Sequence, residues 1–313
     1  MKWIKKNFVN ILICLIGFVG AGLLAYPTVA DWWNSFHQSR AVASYAQAVA
    51  ELDEATYDKL LSEAEAYNKK LAETGIIWTM SKKQMKEYDA LLSINDTGIM
   101  GYIDIPKINI QLPIYHGTDE SVLQIAIGHL EGTSLPVGGE GSHCVMSGHR
   151  GLPSAKLFSD LDKMTEGDTF SMTVMNRTLT YEVDQIRVVE PSDLSDLKIE
   201  QGKDYCTLVT CTPYGINTHR LLVRGHRTEN PNGDAEIIAD ALQIEPIYIA
   251  PFLAVPVLLL LILGVLVVTG RQRSAARRKR RTFEKAGFML DGHDMIRKEP
   301  DMQGSHDITD GHK

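Results

Sequence analysis

The sequence predicts a mainly β domain, a closed or partly closed barrel of short strands, preceded by helices and bracketed by two membrane-spanning segments. Three observations predict it. From Ile99 onward, strand-like runs alternate with Gly, Pro, Asp and Asn turns. Ahead of Ile99, residues rich in Ala, Glu, Leu and Lys recur at helical spacing. Near each end lies an apolar run bordered by basic residues.

The first apolar run, Phe8 to Ala25, follows Lys2, Lys5 and Lys6. A cleaved signal peptide begins in the same way. Here no small-x-small cleavage site closes the run, and Tyr26, Trp32 and Trp33 suit the interfacial belt of a retained anchor, so residues 1–26 are read as anchor or signal. Residues 40–72 read as helix, with Leu52, Tyr57, Leu60, Leu61 and Ala64 on one face. A break is expected at Thr74-Gly75, and a shorter helix over Lys82 to Leu92.

Strands are expected over Ile99–Ile105 and Ile108–Leu112, with Pro106 and Lys107 between them. Val122 to His129 reads as a short helix or a turn, and Leu135–Gly141 as a loop. Further strands are expected over His143–Gly148, Thr169–Met175, Leu179–Val189, Tyr205–Cys211 and His219–Arg224. Residues 98–230 thus form the barrel domain, 27–97 a helical region, and 231–246 a linker.

The second apolar run, Ile247 to Val268, carries no charge and is long enough to cross about 30 Å of hydrocarbon. Arg271, Arg273, Arg277, Arg278, Lys279, Arg280 and Arg281 follow it, a stop-transfer and positive-inside signal. A transmembrane helix over 247–269 and a basic cytoplasmic tail over 270–313 are expected, which leaves the β domain outside the cell membrane. The basic cluster also suits contact with anionic lipid. The chain of 313 residues has a net charge of −7, which gives no reason to expect a nucleic-acid partner. Of four cysteines, Cys14 lies in the first apolar run, leaving Cys144, Cys206 and Cys211 in the external part. An odd external count leaves at least one free thiol.

Three residues stand out for chemistry. Cys211 ends a predicted strand where a loop begins, a position that can expose a nucleophile on a rigid support; it would equally suit a buried core thiol. His149 ends another apolar strand between Gly148 and Gly151 and could move a proton, or simply be a satisfied structural histidine. Arg220 begins the strand after the Pro213–Asn217 turn, nine residues beyond Cys211. If the two strands form a hairpin, thiol and guanidinium face one cleft, where arginine's five donors could hold a carbonyl oxygen or oxyanion; otherwise Arg220 is a surface strand residue like Arg224 and Arg227. No acidic partner for His149 is evident, and no phosphate loop, HExxH or paired-cysteine metal spacing occurs. A metal site on His129, His143 and His149 finds little support in their mixed contexts.

Several segments in order carry a family resemblance: Ile105–Ile108 (IPKI), Leu112–Thr118 (LPIYHGT), Gly128–Pro136 (GHLEGTSLP), Ser147–Pro153 (SGHRGLP) and Thr207–Gly215 (TLVTCTPYG), with Arg220 where the family has its arginine. From about Ile99 to His226 the chain resembles the pilin-polymerising, class C sortases of Gram-positive bacteria. The resemblance implies an eight-stranded sortase-type β-barrel and assigns three catalytic residues. Cys211 would attack the Thr–Gly bond of an LPxTG-like sorting signal on a pilin subunit. His149 would protonate the departing amine and Arg220 would stabilise the carbonyl oxygen. A pilin lysine amine would then resolve the thioester, with no cofactor or metal needed. Two other readings stay open: a sortase that attaches surface proteins or pili to a cell-wall precursor amine, and a non-catalytic pilus-assembly scaffold.

The chain departs from the family at one point. Many class C sortases carry an Asp-Pro-aromatic lid motif before the barrel, and Gly75 to Thr97 contains none; Trp78, Tyr88, Asp89 and Asp96 are present, but no aspartate there precedes a proline. No standard lid is therefore expected. The resemblance also implies that the strands bearing Cys144 and Cys206 are parallel neighbours, so that these thiols are either bridged or buried side by side, away from the cleft.

Overall fold

The structure is a computed structural model that describes residues 2–94 and 97–230, together with residues 264, 270–271, 274–275, 277–278 and 281–282. The chain divides into two units, Met1–Gln243 and Ile244–Lys313. In the second unit the described residues are helical. The predicted linker and tail, and all of the predicted second span except residue 264, lie outside the described residues.

Eight strands close into a barrel: β1 (Ile99–Ile105), β2 (Ile110–His116), β3 (Ile127–His129), β4 (Ser142–Ser147), β5 (Thr169–Val174), β6 (Arg177–Val189), β7 (Asp204–Thr212) and β8 (His219–Thr228). Their order around the barrel is β1-β2-β3-β4-β7-β8-β6-β5, with β5 paired back onto β1. The pairs β2–β3 and β4–β7 are parallel; the others are antiparallel. Closure leaves no open sheet edge. The interior is filled by alternate side chains of these strands, among them Ile103, Ile105, Ile114, Met146, Phe170 and Leu208.

The expected eight-stranded barrel is therefore present, with three local differences. The segment Val122–His129 is both a helical turn and a strand: α4 (Glu120–Leu123) and then β3, which is only three residues long and too short to show a period. The second strand begins at Ile110 because Pro106–Ile108 forms a 3-10 turn, closed by Asn109 in the left-handed region at φ 51°. The helix expected over 40–72 is two helices, since α1 runs continuously from Lys2 to Ala50 and α2 spans Glu54–Thr74. Asp53 makes the break: its carboxylate accepts from the Thr56 amide at 2.9 Å and caps α2, a contact a mid-helix aspartate cannot make. Gly75, at φ 83°, ends α2 at the expected place.

Helix α1 has two parts of different character. Phe8, Leu15, Ile16, Phe18, Leu23 and Leu24 are exposed, and Leu15–Ala50 includes a stretch long and apolar enough, by length and composition, to cross a membrane. Its last turns instead bury Tyr45 and Val49 against Ile99. The Tyr45 hydroxyl donates to the Met100 carbonyl and accepts from the Met175 amide, both at 2.8 Å, tying the helix to the barrel. From α2, Asn68 donates to the Leu135 carbonyl at 3.0 Å and accepts from its amide at 2.7 Å, which orders the loop before β4.

The segment after α2 packs along the barrel. The Ile77 amide donates to the Gly132 carbonyl at 3.0 Å. Helix α3 (Lys82–Ala90) starts with a Ser81–Gln84 capping box and buries Tyr88. The Tyr88 hydroxyl donates to His129 Nδ1 at 2.8 Å, and His129 Nε2 donates to the Ser134 carbonyl at 2.8 Å. With one nitrogen accepting, the ring is held neutral, and burial lowers its pKa from 6.5 to about 4. The unfolded chain binds this proton below about pH 6.5 while the folded chain binds it only near pH 4. Stability is therefore fully present above that window and is lost as pH falls through it, by on the order of 3 kcal/mol from this group. Chemical denaturation at pH 7 and pH 5 is expected to show the lower midpoint at pH 5, and His129→Gln, which cannot charge, to reduce that difference.

Candidate active site

Of the three residues singled out in the sequence, Cys211 and Arg220 lie on adjoining strands and His149 two residues beyond the end of a third, β4. Cys211 and Arg220 are directly opposed Cα partners in the antiparallel β7–β8 pair, on either side of the loop 213–218. In the parallel β4–β7 pair, Ser147 lies opposite Val209. Two bonds extend that register beyond β4: the Gly148 amide donates to the Val209 carbonyl at 3.1 Å, and the Thr210 hydroxyl donates to the Gly148 carbonyl at 2.7 Å. The Phe158 amide then donates to the His149 carbonyl at 3.1 Å. The histidine backbone is thereby fixed beside the strand that delivers the cysteine.

Gly148 has a steric role here. A Cβ at this position would lie 2.6 Å from Phe158 Cδ2 and 2.9 Å from Ile127 Cγ2, both buried. Overpacking of this kind costs about 1–3 kcal/mol. Gly148→Ala is expected to lower the thermal midpoint and to shift the backbone at His149.

Cys211 is a partly exposed free thiol at the end of β7. Cys144 and Cys206, paired in register in β4 and β7, are free and buried in the barrel interior, where Cys206 contacts Met172 at 3.7 Å. Burial raises the Cys144 thiol well above its ordinary range, which suits an inert core residue. Five positions separate Cys206 from Cys211, and the strand's alternation turns them to opposite faces.

The structure brings in two groups that the sequence reading missed. Glu120, at the start of α4, lies with Oε2 3.4 Å from His149 Nε2. Among the described residues that nitrogen has no hydrogen-bond partner. The Glu120 carboxyl is held below its usual range, first by its bond with Gln124 and then by His149. At 70% side-chain exposure the pair contributes little to stability. Arg150 is nearly buried; it pairs with Asp162, donates to the Thr212 hydroxyl at 3.2 Å and lies 5.9 Å from the Tyr214 ring centroid. It braces the loop after Cys211 against the loop after His149. No local sequence signal marks either residue.

Arg220 donates through Nη1 to the carbonyls of His219 at 3.1 Å and Asn217 at 3.4 Å. Neither Asp89 nor Glu87, from the segment before the barrel, is bonded to it; Asp96 lies outside the described residues. His129, His143 and His149 do not converge: His143 bonds the Lys198 carbonyl and the Thr207 hydroxyl, apart from the His129 and His149 contacts above.

A β-barrel with a thiol, an imidazole and a guanidinium delivered by neighbouring strands matches one family. The Sortase domain model matches residues 103–228. The chain is 57% identical to the crystal structure of sortase C1 from Streptococcus agalactiae, covering 61% of this chain and 99% of that one with a TM-score of 0.60. It is 43% identical to sortase C of Streptococcus pneumoniae, covering 61% and 97% with a TM-score of 0.55. Sortase D of Bacillus subtilis is 31% identical over 130 residues, which is 41% of this chain and 63% of that protein, so the chain spans just under two thirds of this curated relative. The chain belongs to the sortase family, whose members are cysteine transpeptidases. Within it, the similar solved structures named here are C-type sortases.

Proposed function

We propose that this chain polymerises pilin subunits by transpeptidation, with Cys211, His149 and Arg220 as its catalytic residues. The cross-strand pairing of Cys211 with Arg220, beside the strand end that carries His149, supports the reading most directly. The Cys211 thiolate attacks the carbonyl carbon of threonine in an LPxTG-like sorting signal. Arg220 stabilises the oxyanion that forms. His149, as imidazolium, gives its proton to the glycine amine as the Thr–Gly bond breaks, leaving a threonyl thioester on Cys211. A lysine amine of a second subunit attacks the thioester, His149 takes the proton, and an isopeptide bond replaces the thioester. The energy of the cleaved peptide bond is retained in the thioester, so the reaction calls for no cofactor.

The choice of pilin substrates rests on similarity to sortase C structures, one of which, from S. pneumoniae, is described in terms of pilin substrate specificity. The alternative reading, attachment of surface proteins or pili to a cell-wall precursor amine, uses the same thioester and differs only in the amine that resolves it. We further read the groove as uncovered by a standard lid, because the chain after α2 is held along the barrel at Ile77 and Tyr88 instead. The apolar part of α1 and the predicted second span would hold the domain at the outer face of the cell membrane, with the basic tail in the cytoplasm. Membrane-held substrates would then meet it at raised local concentration.

The test is incubation of the full chain in detergent with a pilin subunit that bears an LPxTG-like sorting signal, alongside a diamine that mimics a cell-wall precursor. A ladder of Thr–Lys isopeptide-linked subunits, seen by mass spectrometry, is expected. Pilin joined only to the diamine would instead establish the attachment reaction.

A further inference from the structure

Three polar side chains on one face of α1 reach the backbone on both sides of His149. Asp31 Oδ1 accepts from the Lys156 amide at 2.6 Å. Asn34 Nδ2 donates to the Ser154 carbonyl at 2.7 Å. Gln38 Nε2 donates to the Ile125 carbonyl at 2.7 Å. Spacings of three and four residues put all three on the same helix face. Their targets are distant in sequence but converge in space. Ser154 and Lys156 belong to the loop that leaves His149 and returns when the Phe158 amide bonds the His149 carbonyl. Ile125 closes the turn that begins at Glu120, the residue against His149 Nε2.

This contact is polar rather than tightly packed. An open groove of about 480 Å³ runs between Pro27, Thr28 and Asp31 on the helix and Gly151, Lys156 and Tyr214 on the loops. Across this open seam, the hydrogen bonds to backbone groups fix the spacing of the two surfaces. The Lys156 ammonium is committed elsewhere, to the Ile108 carbonyl at 2.7 Å and Asp160 at 3.1 Å, so the residue is anchored at its side chain as well as at its amide.

We propose that Asp31, Asn34 and Gln38 are positioning residues for His149, making the helix that continues from the apolar N-terminal segment a structural part of the active site. The proposal rests on the catalytic assignment of His149 above. Its consequence is that the membrane-side helix sets the geometry of the acid–base group, and a domain cut after Gln38 would lose that control.

The experiment uses the full chain in detergent micelles and compares Asp31→Ala, Asp31→Asn and the double variant Asp31→Ala/Asn34→Ala with wild type. Amide exchange by mass spectrometry is read on peptides covering residues 150–158 and on the strands of the barrel. In the double variant, exchange over 150–158 is expected to rise about tenfold while the barrel strands are unchanged. The kcat for cleavage of an LPxTG-like peptide is expected to fall about tenfold, with KM within twofold. Asp31→Asn keeps an oxygen that can accept from the Lys156 amide and is expected to behave nearly as wild type, whereas Asp31→Ala is not. Unchanged exchange over 150–158, or a rise shared equally by the barrel, would overturn the proposal, as would wild-type kcat with a loosened loop. If wild type itself cleaved no such peptide, the functional reading would fail, and the exchange pattern would still decide whether α1 holds the loop.

Discussion

Cys211→Ala is expected to lower cleavage of an LPxTG-like peptide by at least about a thousandfold and to remove the acyl-enzyme from mass spectra, with little change in thermal stability. The two halves of that expectation have different origins. On the proposed mechanism, activity is lost because the covalent step has no other nucleophile, and residual rates would come only from binding and oxyanion stabilisation. Stability is kept because Cys211 lies at the end of β7 with its side chain partly exposed, where deleting one sulfur leaves no sealed cavity. Cys206, five residues earlier and fully buried, supplies the contrast: Cys206→Ala should destabilise the barrel while leaving a reactive thiol in place. Thiol titration separates the roles further. Under native conditions Cys211 should react, and the buried Cys144 and Cys206 only after denaturation. Retained acyl-enzyme in Cys211→Ala would sink the proposed mechanism outright.

How far the site was legible depended on whether a residue's neighbours were set by local pattern or by topology. The strand bearing Cys211 and the strand bearing Arg220 are joined by a short turn, so their cross-strand pairing follows from hairpin geometry, and the structure has them opposed. The neighbourhood of His149 is different. Its strand β4 is separated from β7 by β5 and β6 in sequence yet pairs with β7 in parallel, a crossover that no periodicity announces. There the family resemblance carried the expectation, including the side-by-side placement of Cys144 and Cys206. Glu120 was invisible because β3, the strand that brings α4 beside β4, is three residues long and has no pattern to read. The helical region shows a related limit. Residues 40–72 keep helical composition through Leu52 and Asp53, and only the capping contact of Asp53 with Thr56 reveals where one helix stops and the next begins. Asp31 is far from His149 in sequence, and a helix 49 residues long carries it to the loop after His149.

Arg220 carries the second large effect. Three arginines lie on β8, and their partners distinguish them. Arg224 is committed: Nε and Nη2 meet the two carboxylate oxygens of Asp184 at 3.0 and 3.1 Å, and its guanidinium stacks 4.2 Å from the Tyr205 ring centroid. Arg227 bonds Thr180, Thr228 and Asn230 at the far end of the strand. Arg220, opposite Cys211, bonds only the carbonyls of Asn217 and His219, both through Nη1, and among the described residues no carboxylate pairs with it. Its Nε and Nη2 donors are thus available to an oxygen arriving beside the thiol. Removing one such donor typically costs 10²–10³ in kcat. Arg220→Ala is therefore expected to reduce kcat for thioester formation by roughly that factor, with KM changed far less, because the oxyanion exists only in the transition state. Arg220→Lys keeps the charge and loses the planar fork, and should recover only part of the activity. Arg224→Ala is the matched control on the same strand: it leaves Asp184 without its bidentate partner and should lower thermal stability while leaving kcat near wild type. If Arg220→Ala raised KM with kcat unchanged, the residue would be holding the ground-state peptide rather than the developing oxyanion, and that role would have to be withdrawn.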